Sequence, residues 1–119
     1  MKYRTVKDTK IAMLEYGDNW RIPFMEFVDD FRRLKDTGLI EEAFEFNNDI
    51  FDPLLASTIE YLCDESGIEA PTWVWEVPQC KDPWFVSGVE NLKAIAIAES
   101  PAFFRRRKIF VLNNFLSRI

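Results

Sequence analysis

Phenylalanines between residues 20 and 38 recur at helical spacing, and this pattern constrains the fold more than any other feature of the sequence. Side chains three or four residues apart share one face of an α-helix. The stretch therefore predicts an amphipathic helix from residue 20 or 21 to residue 36, with Pro23 in its first turn and Gly38 as a left-handed cap after its end. The apolar positions of this helix are Phe24, Phe27, Val28, Phe31 and Leu34.

A shorter helix is predicted at the N-terminus. Thr5 followed three residues later by Asp8 has the spacing of a capping box, and Gly17 is a stop signal. Ile11 and Leu14 are expected on one side of this helix. Residues 39–46, after the phenylalanine-rich helix, fit either two helical turns or an ordered connection.

The middle of the chain predicts a third helix and then a connection. Asp52 can cap a helix with Pro53 in its first position, and Gly67 ends it. Leu55, Ile59 and Leu62 align along this helix. Residues 70–85 contain three of the four tryptophans and three of the six prolines, so we expect an ordered aromatic connection across the helices rather than a regular helix.

The last third of the chain predicts two further helices. Ser87 and Glu90 are in the capping-box relation, and the alanine and isoleucine run after them is typical of a central buried helix. Ser100 as cap with Pro101 in the first position starts a terminal helix. We favour a break near Lys108; a continuous helix would instead align Arg105, Ile109, Leu112, Leu116 and Ile119.

Length and composition predict one folded domain. A chain of 119 residues can bury a core without disulfides, and 48% apolar residues with only four glycines is typical of an ordered protein. The fold class is therefore all-α, a single-domain bundle over residues 1–119 with about five or six helices and an aromatic, proline-rich connection. No apolar run has membrane-spanning length, and residues 1–18 lack signal-peptide features, so we expect a cytoplasmic protein that binds no membrane.

The residue types limit the chemistry. Histidine is absent, which removes the Ser-His and Cys-His nucleophile pairs and histidine-ligated metal sites. Cys63 and Cys80 are too few for a zinc site; Cys63 is expected to pack as a small hydrophobe and Cys80 to be the more exposed thiol. Asn48, Asp49 and Asp52 lack the spacing of a calcium loop. We predict no catalytic residue, no metal and no cofactor.

Acidic side chains also come in adjacent pairs, at residues 29–30, 41–42 and 64–65. Neighbouring helical residues diverge by about 100°, so such a pair does not converge on one substrate. These pairs are expected on solvated faces. A carboxylate-based enzyme is consequently the least favoured class of function.

Charge is distributed unevenly between the two parts of the chain. Residues 1–99 carry 10 basic and 20 acidic side chains, a balance of −10, and residues 100–119 carry five basic and no acidic ones, a balance of +5. The three consecutive arginines at 105–107 cannot share one helix face. At least one is expected to point inward to a carboxylate of this chain or to a helix C-terminus, and the exposed ones form the candidate partner-binding set. That set is drawn from Arg105, Arg106, Arg107 and Lys108.

Two binding alternatives remain open. The aromatic side chains Trp73, Trp75, Trp84 and Phe85 either line a peptide or ligand groove or, as we favour, pack in the core. Nucleic-acid binding by the basic segment is disfavoured because a net charge of −5 opposes contact with phosphates, and no stretch has the polar recognition helix that base readout requires.

Three stretches within about the last four fifths of the chain carry a resemblance to a family. "FMEFVDDFRR", "LLASTIEYLCDESGIEAPTWV" and "PWFVSGVENLKAIAIAESPAFFRRRKIFVLNNFLSRI" resemble small helical bacterial proteins that end in Ser-Pro-x-x-Phe-Arg-Arg-Arg, an aromatic segment and Leu-Ser-Arg. The chain departs from them at Lys108, where a small residue is expected, and in lacking their helix-turn-helix. The matching positions are Ser100, Pro101, Phe104, Arg105, Arg106, Arg107, Ile109, Phe110, Leu116, Ser117 and Arg118.

Some proteins of this group are similar to the antitoxins of gene pairs whose other product is like a nucleotidyltransferase. The resemblance thus implies a non-enzymatic interaction domain that neutralises another protein, a toxin-like enzyme. The alternative function is a small nucleic-acid-binding regulatory domain that uses the basic C-terminal segment.

Overall fold

The computed structural model describes residues 3–117, and this part of the chain is mostly helical, compatible with a helical bundle. Arg118 and Ile119, which the family resemblance and the continuous-helix alternative include, lie outside the described residues. Short 3₁₀ helices connect several of the elements. Their ranges are Gly17–Asn19, Thr37–Leu39, Thr72–Glu76 and Glu90–Leu92. The α-helices are α1 (Val6–Tyr16), α2 (Arg21–Leu34), α3 (Phe51–Ser66), α4 (Lys93–Glu99) and α5 (Ala102–Arg105).

Helix α1 begins and ends where the local signals predict. The Thr5 hydroxyl accepts from the Asp8 backbone N–H at 3.2 Å, and the Asp8 carboxylate accepts from the Thr5 N–H, which completes the capping box. Gly17 ends the helix with a positive φ. The expected apolar side is wrong, because Ile11 and Leu14 are each 51% exposed and the opposite face enters the core.

The phenylalanine stripe of α2 lies in the core, as predicted, but the cap of this helix differs. Lys35, with φ 51°, is the left-handed residue that ends α2, and its N–H donates to Phe31 O at 2.7 Å. Gly38 belongs to the following 3₁₀ helix, where its N–H donates to the Asp36 carboxylate at 2.9 Å. After this 3₁₀ helix, residues 40–48 form an ordered connection, not helical turns.

Helix α3 is the most buried element. It begins one residue before the predicted cap, so that Asp52 lies in its first turn, and it ends at Gly67, whose φ is 68°. Residues 52–60 are all buried, and the rest of the core gathers around them. Its largest buried side chains are Phe24, Phe27, Phe31, Phe104, Met13, Leu54, Leu55, Ile59, Leu62, Ile109, Val6 and Val28.

Helix α4 contradicts the prediction of a central buried helix. Of its seven residues only Ala96 is buried, while Ile95 and Ile97 are 47% and 49% exposed. The predicted capping box is not formed either: Glu90 starts a 3₁₀ helix, and Ser87 Oγ accepts from the Val89 N–H at 3.3 Å instead. An apolar sequence favours burial, but only contact with other elements provides it.

A short parallel sheet departs from the all-α prediction. Strand β1 (Trp84–Phe85) pairs with β2 (Ile109–Phe110) in the register Trp84 to Ile109. The chain does break at Lys108, as predicted, with φ 62°, and there it leaves α5 for β2. The pairing provides hydrogen-bond partners for backbone groups of the aromatic connection, which is not helical there. Among the described residues, no helix combines the length and apolar character needed to cross a bilayer.

Candidate functional site

A glutamate inside the protein organises the basic C-terminal segment. Glu60 lies in the third turn of α3, and its side chain is 2% exposed. Helix α5 packs against α3, and the residues directly after α5 direct two guanidinium groups at this carboxylate. A carboxylate removed from water requires such partners, because its desolvation is otherwise very costly.

Arg107 is the buried member of the arginine triplet, with 7% of its surface exposed. Its Nη2 lies 2.8 Å from Glu60 Oε1 and donates to the Val74 carbonyl oxygen at 2.7 Å, while Nη1 lies 3.4 Å from Ser57 Oγ. These contacts confirm the prediction that at least one arginine is buried against a carboxylate of this chain. They connect α3, the 3₁₀ helix at 72–76 and the C-terminal segment.

Arg106 contacts the same carboxylate from the protein surface. Its Nη2 donates to Glu60 Oε2, and its side chain remains 49% exposed. The guanidinium carbon lies 5.4 Å from the ring centroid of Trp75 and 5.6 Å from that of Phe103. Both distances are within the range of cation–π attraction. Trp75 itself is 60% exposed. We call Trp75, Phe103 and Arg106 the Trp75–Arg106 surface.

The other two basic residues have different surroundings. Arg105 is exposed at the end of α5. Lys108 is half-buried, and its Nζ lies 3.4 Å from the Lys81 carbonyl oxygen. The four basic side chains named from the sequence therefore do not form one face. Arg107 is inside the protein, where it pairs with Glu60, the carboxylate that Arg106 also contacts.

The aromatic side chains of residues 73–85 divide in a similar way. Trp73 donates its Nε1–H to the Ile40 carbonyl oxygen at 3.0 Å and meets Phe44 edge-on. Trp84 and Phe85 are half-buried in the sheet. Trp73 and Trp84 pack against the core, as we favoured. Phe85 instead stacks on Phe110, with ring centroids 4.9 Å apart, and Trp75 is exposed.

A cleft opens beside the Trp75–Arg106 surface. It encloses about 280 Å³ between the residues after the 3₁₀ helix at 72–76 and the arginine segment. Its walls combine apolar surface with guanidinium and amide groups. The lining residues are Trp75, Val77, Gln79, Arg106 and Arg107.

No protein-family model, no curated protein and no solved structure matches this chain. The resemblance noted from the sequence remains a prediction for that reason. What the site can do has to be argued from its geometry.

A second buried ion pair is a feature that the sequence did not indicate. Lys10 Nζ lies 2.8 Å from Asp52 Oδ1, and both side chains are at most 5% exposed. Asp52 Oδ2 accepts from the backbone N–H groups of Asn47 and Asn48 at 2.8 and 2.9 Å. Lys10 Nζ also contacts Asn47 Oδ1 at 2.5 Å and the Glu45 carbonyl oxygen. The pair fastens the 45–48 connection to α1 and α3.

Both thiols are buried, which confirms the prediction for Cys63 and contradicts the one for Cys80. Burial raises the pKa of Cys63 to about 11, and the nearby Glu60 charge adds to that effect. Burial also raises the pKa of Cys80. The Cys80 N–H donates to the Arg107 carbonyl oxygen at 3.0 Å, which holds this part of the connection against the C-terminal segment.

The remaining acidic groups do not converge. The pairs at residues 41–42 and 64–65 are exposed, as predicted, and residues 29–30 are half-buried. Within residues 3–117, no three acidic or cysteine side chains are grouped so that they could hold a metal ion. The arrangement with the clearest chemical capacity is therefore the cleft at Arg106, whose guanidinium can bind an anion beside an aromatic ring.

Proposed function

We propose that this protein is a non-enzymatic interaction domain that binds another protein through the Trp75–Arg106 surface. The observation that carries the proposal is an exposed tryptophan ring in contact with an arginine whose direction is fixed by a buried carboxylate. Tryptophan and arginine are the side chains most enriched at binding hot spots. Exposure of 60% is also unusual for an indole that could pack against the protein.

Preorganisation supports the same proposal. A free arginine side chain loses rotamer freedom when it is immobilised at an interface, at a cost of about 0.5–1.5 kcal/mol. The contacts of Arg106 with Glu60, Trp75 and Phe103 reduce that freedom before any partner arrives. The surface is therefore suited to recognition.

In its specific form, the proposal is an antitoxin-like role, in which the domain covers and neutralises a toxin-like enzyme. This form rests on the family resemblance of the C-terminal segment together with the uneven charge. The general form, an interaction domain with an unspecified protein partner, rests on the Trp75–Arg106 surface alone.

Copurification tests the general form. The chain is tagged at its own locus in its native host, and the partner is quantified after gentle lysis for the wild type, Trp75→Ala and Ile11→Ala. Ile11 is the matched control, since it is another exposed apolar side chain but belongs to α1. We expect a near-stoichiometric partner that Trp75→Ala loses and Ile11→Ala retains. Equal recovery with both variants would exclude this surface.

The antitoxin-like form has its own test. The partner identified above is expressed alone and together with the chain, and cell growth is measured. Growth arrest by the partner alone, relieved by the wild-type chain and not by Trp75→Ala, is the expected result. A partner that is harmless when expressed alone would contradict neutralisation and leave a simple complex.

A nucleic-acid-binding domain is the second candidate, favoured by one observation. An exposed aromatic ring beside arginine side chains is also how single-stranded nucleic acids are bound, by stacking and phosphate contact. Retardation of single-stranded RNA or duplex DNA is measured at low and at physiological salt. Binding that weakens steeply with salt would favour this candidate, and no retardation at low salt would remove it.

A further inference from the structure

Arg106 keeps hydrogen-bond donors that have no partner in the described part of the chain. Its hydrogen bonds to residues 3–117 use Nη2 alone, so Nε and Nη1 keep their donors. The side chain is half-exposed and is held in place by Glu60 and two aromatic rings. A guanidinium presents parallel donors in a rigid fork that matches a carboxylate or a phosphate.

The net charge of the site also favours binding of an anion. Glu60 is a single negative charge that faces the guanidinium groups of both Arg106 and Arg107. Within residues 3–117, no other carboxylate lies within 4 Å of either arginine. One positive charge therefore remains uncompensated at a partly desolvated position, where attraction to an incoming anion is stronger than in bulk water.

The size of the cleft is compatible with a small anionic group. Its volume of about 280 Å³ is close to the lower limit of the roughly 300–1,000 Å³ of small-molecule sites. It is sufficient for one side chain with part of its neighbours. The apolar surfaces of Val77 and Trp75 suit the methylene groups of such a side chain, and the Gln79 amide offers a further polar contact.

We propose that the cleft receives the carboxylate of a single aspartate or glutamate side chain from the partner protein, bound through the donors of Arg106 that Glu60 leaves free. This inference rests on the proposed function and specifies its chemistry. Glu60 is a positioning residue, since it fixes the guanidinium without facing the partner.

A protein carboxylate is favoured over a nucleic-acid phosphate by the surrounding charge. A nucleic-acid strand brings a line of phosphates and needs several cations along its path. Residues 1–99 instead carry a balance of −10. Outside the arginine segment, the protein therefore repels a polyanion. A single carboxylate followed by apolar groups avoids that repulsion.

Titration with blocked peptides tests the inference. The probes are acetyl-Leu-Glu-Leu-amide and acetyl-Leu-Gln-Leu-amide, which differ in one charge, together with inorganic phosphate and an oligothymidylate of eight nucleotides. The readouts are the ¹⁵N-resolved signals of Trp75 Nε1–H and Arg106 Nε–H in the full chain. We expect saturable shifts of both signals with the glutamate peptide and none with the glutamine peptide.

Two variants make the result specific. Arg106→Lys keeps the charge but loses the planar fork, so it should lower the affinity for the glutamate peptide by roughly tenfold. Arg105→Ala, the exposed neighbour, should leave the affinity within about twofold. Unchanged melting temperatures show that both variants fold; if Arg106→Lys does not fold, the comparison of the glutamate and glutamine peptides still decides.

The outcomes separate this inference from the proposed function. Equal shifts with both peptides, or none with either, overturn the proposal that the cleft binds a carboxylate. The copurification result with Trp75→Ala does not depend on this outcome. Tighter binding of phosphate or oligothymidylate than of the glutamate peptide also overturns it and favours the nucleic-acid candidate. A partner whose affinity falls in Trp75→Ala but is unchanged in Arg106→Lys contradicts the carboxylate contact and leaves the interaction domain.

Discussion

Glu60 and Arg107 form a hydrogen-bonded ion pair of 2.8 Å inside the protein, with side chains that are 2% and 8% exposed. They are 47 positions apart in the chain. Neither can be removed without leaving the other charge in a poorly solvated place, so the pair is a structural connection between α3 and the C-terminal segment.

Replacing either member of this pair should be strongly destabilising. We expect Arg107→Ala and Glu60→Gln each to lower the free energy of unfolding by about 3–5 kcal/mol, because a buried charge loses its partner. Arg105→Ala should change it by at most about 0.5 kcal/mol, since that side chain is exposed. Urea unfolding measures all three. Midpoints equal to that of the wild type in all three variants would contradict a buried Glu60–Arg107 pair.

The two charges should also couple. In a double-mutant cycle with Glu60→Gln and Arg107→Met, the double variant should be more stable than the sum of the single effects predicts, by about 1–3 kcal/mol. The reason is that the second change removes a charge that the first has left unpaired. Additive effects within error would contradict direct pairing.

The Lys10–Asp52 pair gives a second stability prediction. Lys10→Met should lower the free energy of unfolding by about 1–3 kcal/mol, because Asp52 and the acceptors at 45 and 47 lose a buried donor. Lys7→Met is the matched control on the same helix, and its exposed pair with Glu42 should matter little. Similar unfolding curves for the two variants would place Lys10 in solvent.

Thiol chemistry should depend on unfolding. The pKa of Cys63 is raised to about 11, so its thiol stays protonated in the folded state well above the range where the unfolded thiol ionises. Its contribution to stability is complete below about pH 9 and is lost as the pH rises toward 11. Urea midpoints across this range should fall more steeply for the wild type than for Cys63→Ala. At neutral pH both cysteines should react with a maleimide only after denaturation.

The exposed position of α4 is testable as well. Ile95→Asn and Ile97→Asn should each change the free energy of unfolding by no more than about 0.5 kcal/mol, as expected of surface sites. Ala96→Leu, the buried residue between them, should cost about 1–3 kcal/mol through overpacking. Large losses for the two isoleucine variants would mean that α4 is covered by the protein itself.

Helix limits were predictable where a cap acts within a few residues. The Thr5–Asp8 capping box and the stops at Gly17 and Gly67 depend on backbone groups three to five positions away, and the sequence contains all of their parts. The α2 cap was missed because Lys35 adopts the left-handed conformation three residues before the available glycine. The preference of glycine for the left-handed conformation did not decide where α2 ends; its packing in the fold did.

The site was predictable only in outline. Helical divergence predicted that at least one of the three adjacent arginines points inward, and Arg107 does. The predicted geometry was wrong, because Arg106 and Arg107 lie in the turn after α5 and both contact Glu60. That the acceptor is Glu60, and that Trp75 is the exposed tryptophan, could not be found from spacing. Both depend on how α3 and the 3₁₀ helix at 72–76 lie beside the end of α5.

The sequence by itself determined the helical content, the phenylalanine stripe of α2 and the break at Lys108. Each of these follows from covalent geometry, helical periodicity or a hydrogen bond to a near neighbour. Only the tertiary structure decided that α4 is exposed, that β1 pairs with β2 and that Lys10 meets Asp52. Burial and ion pairing are properties of the space between elements, and that space exists only once elements distant in sequence have packed together.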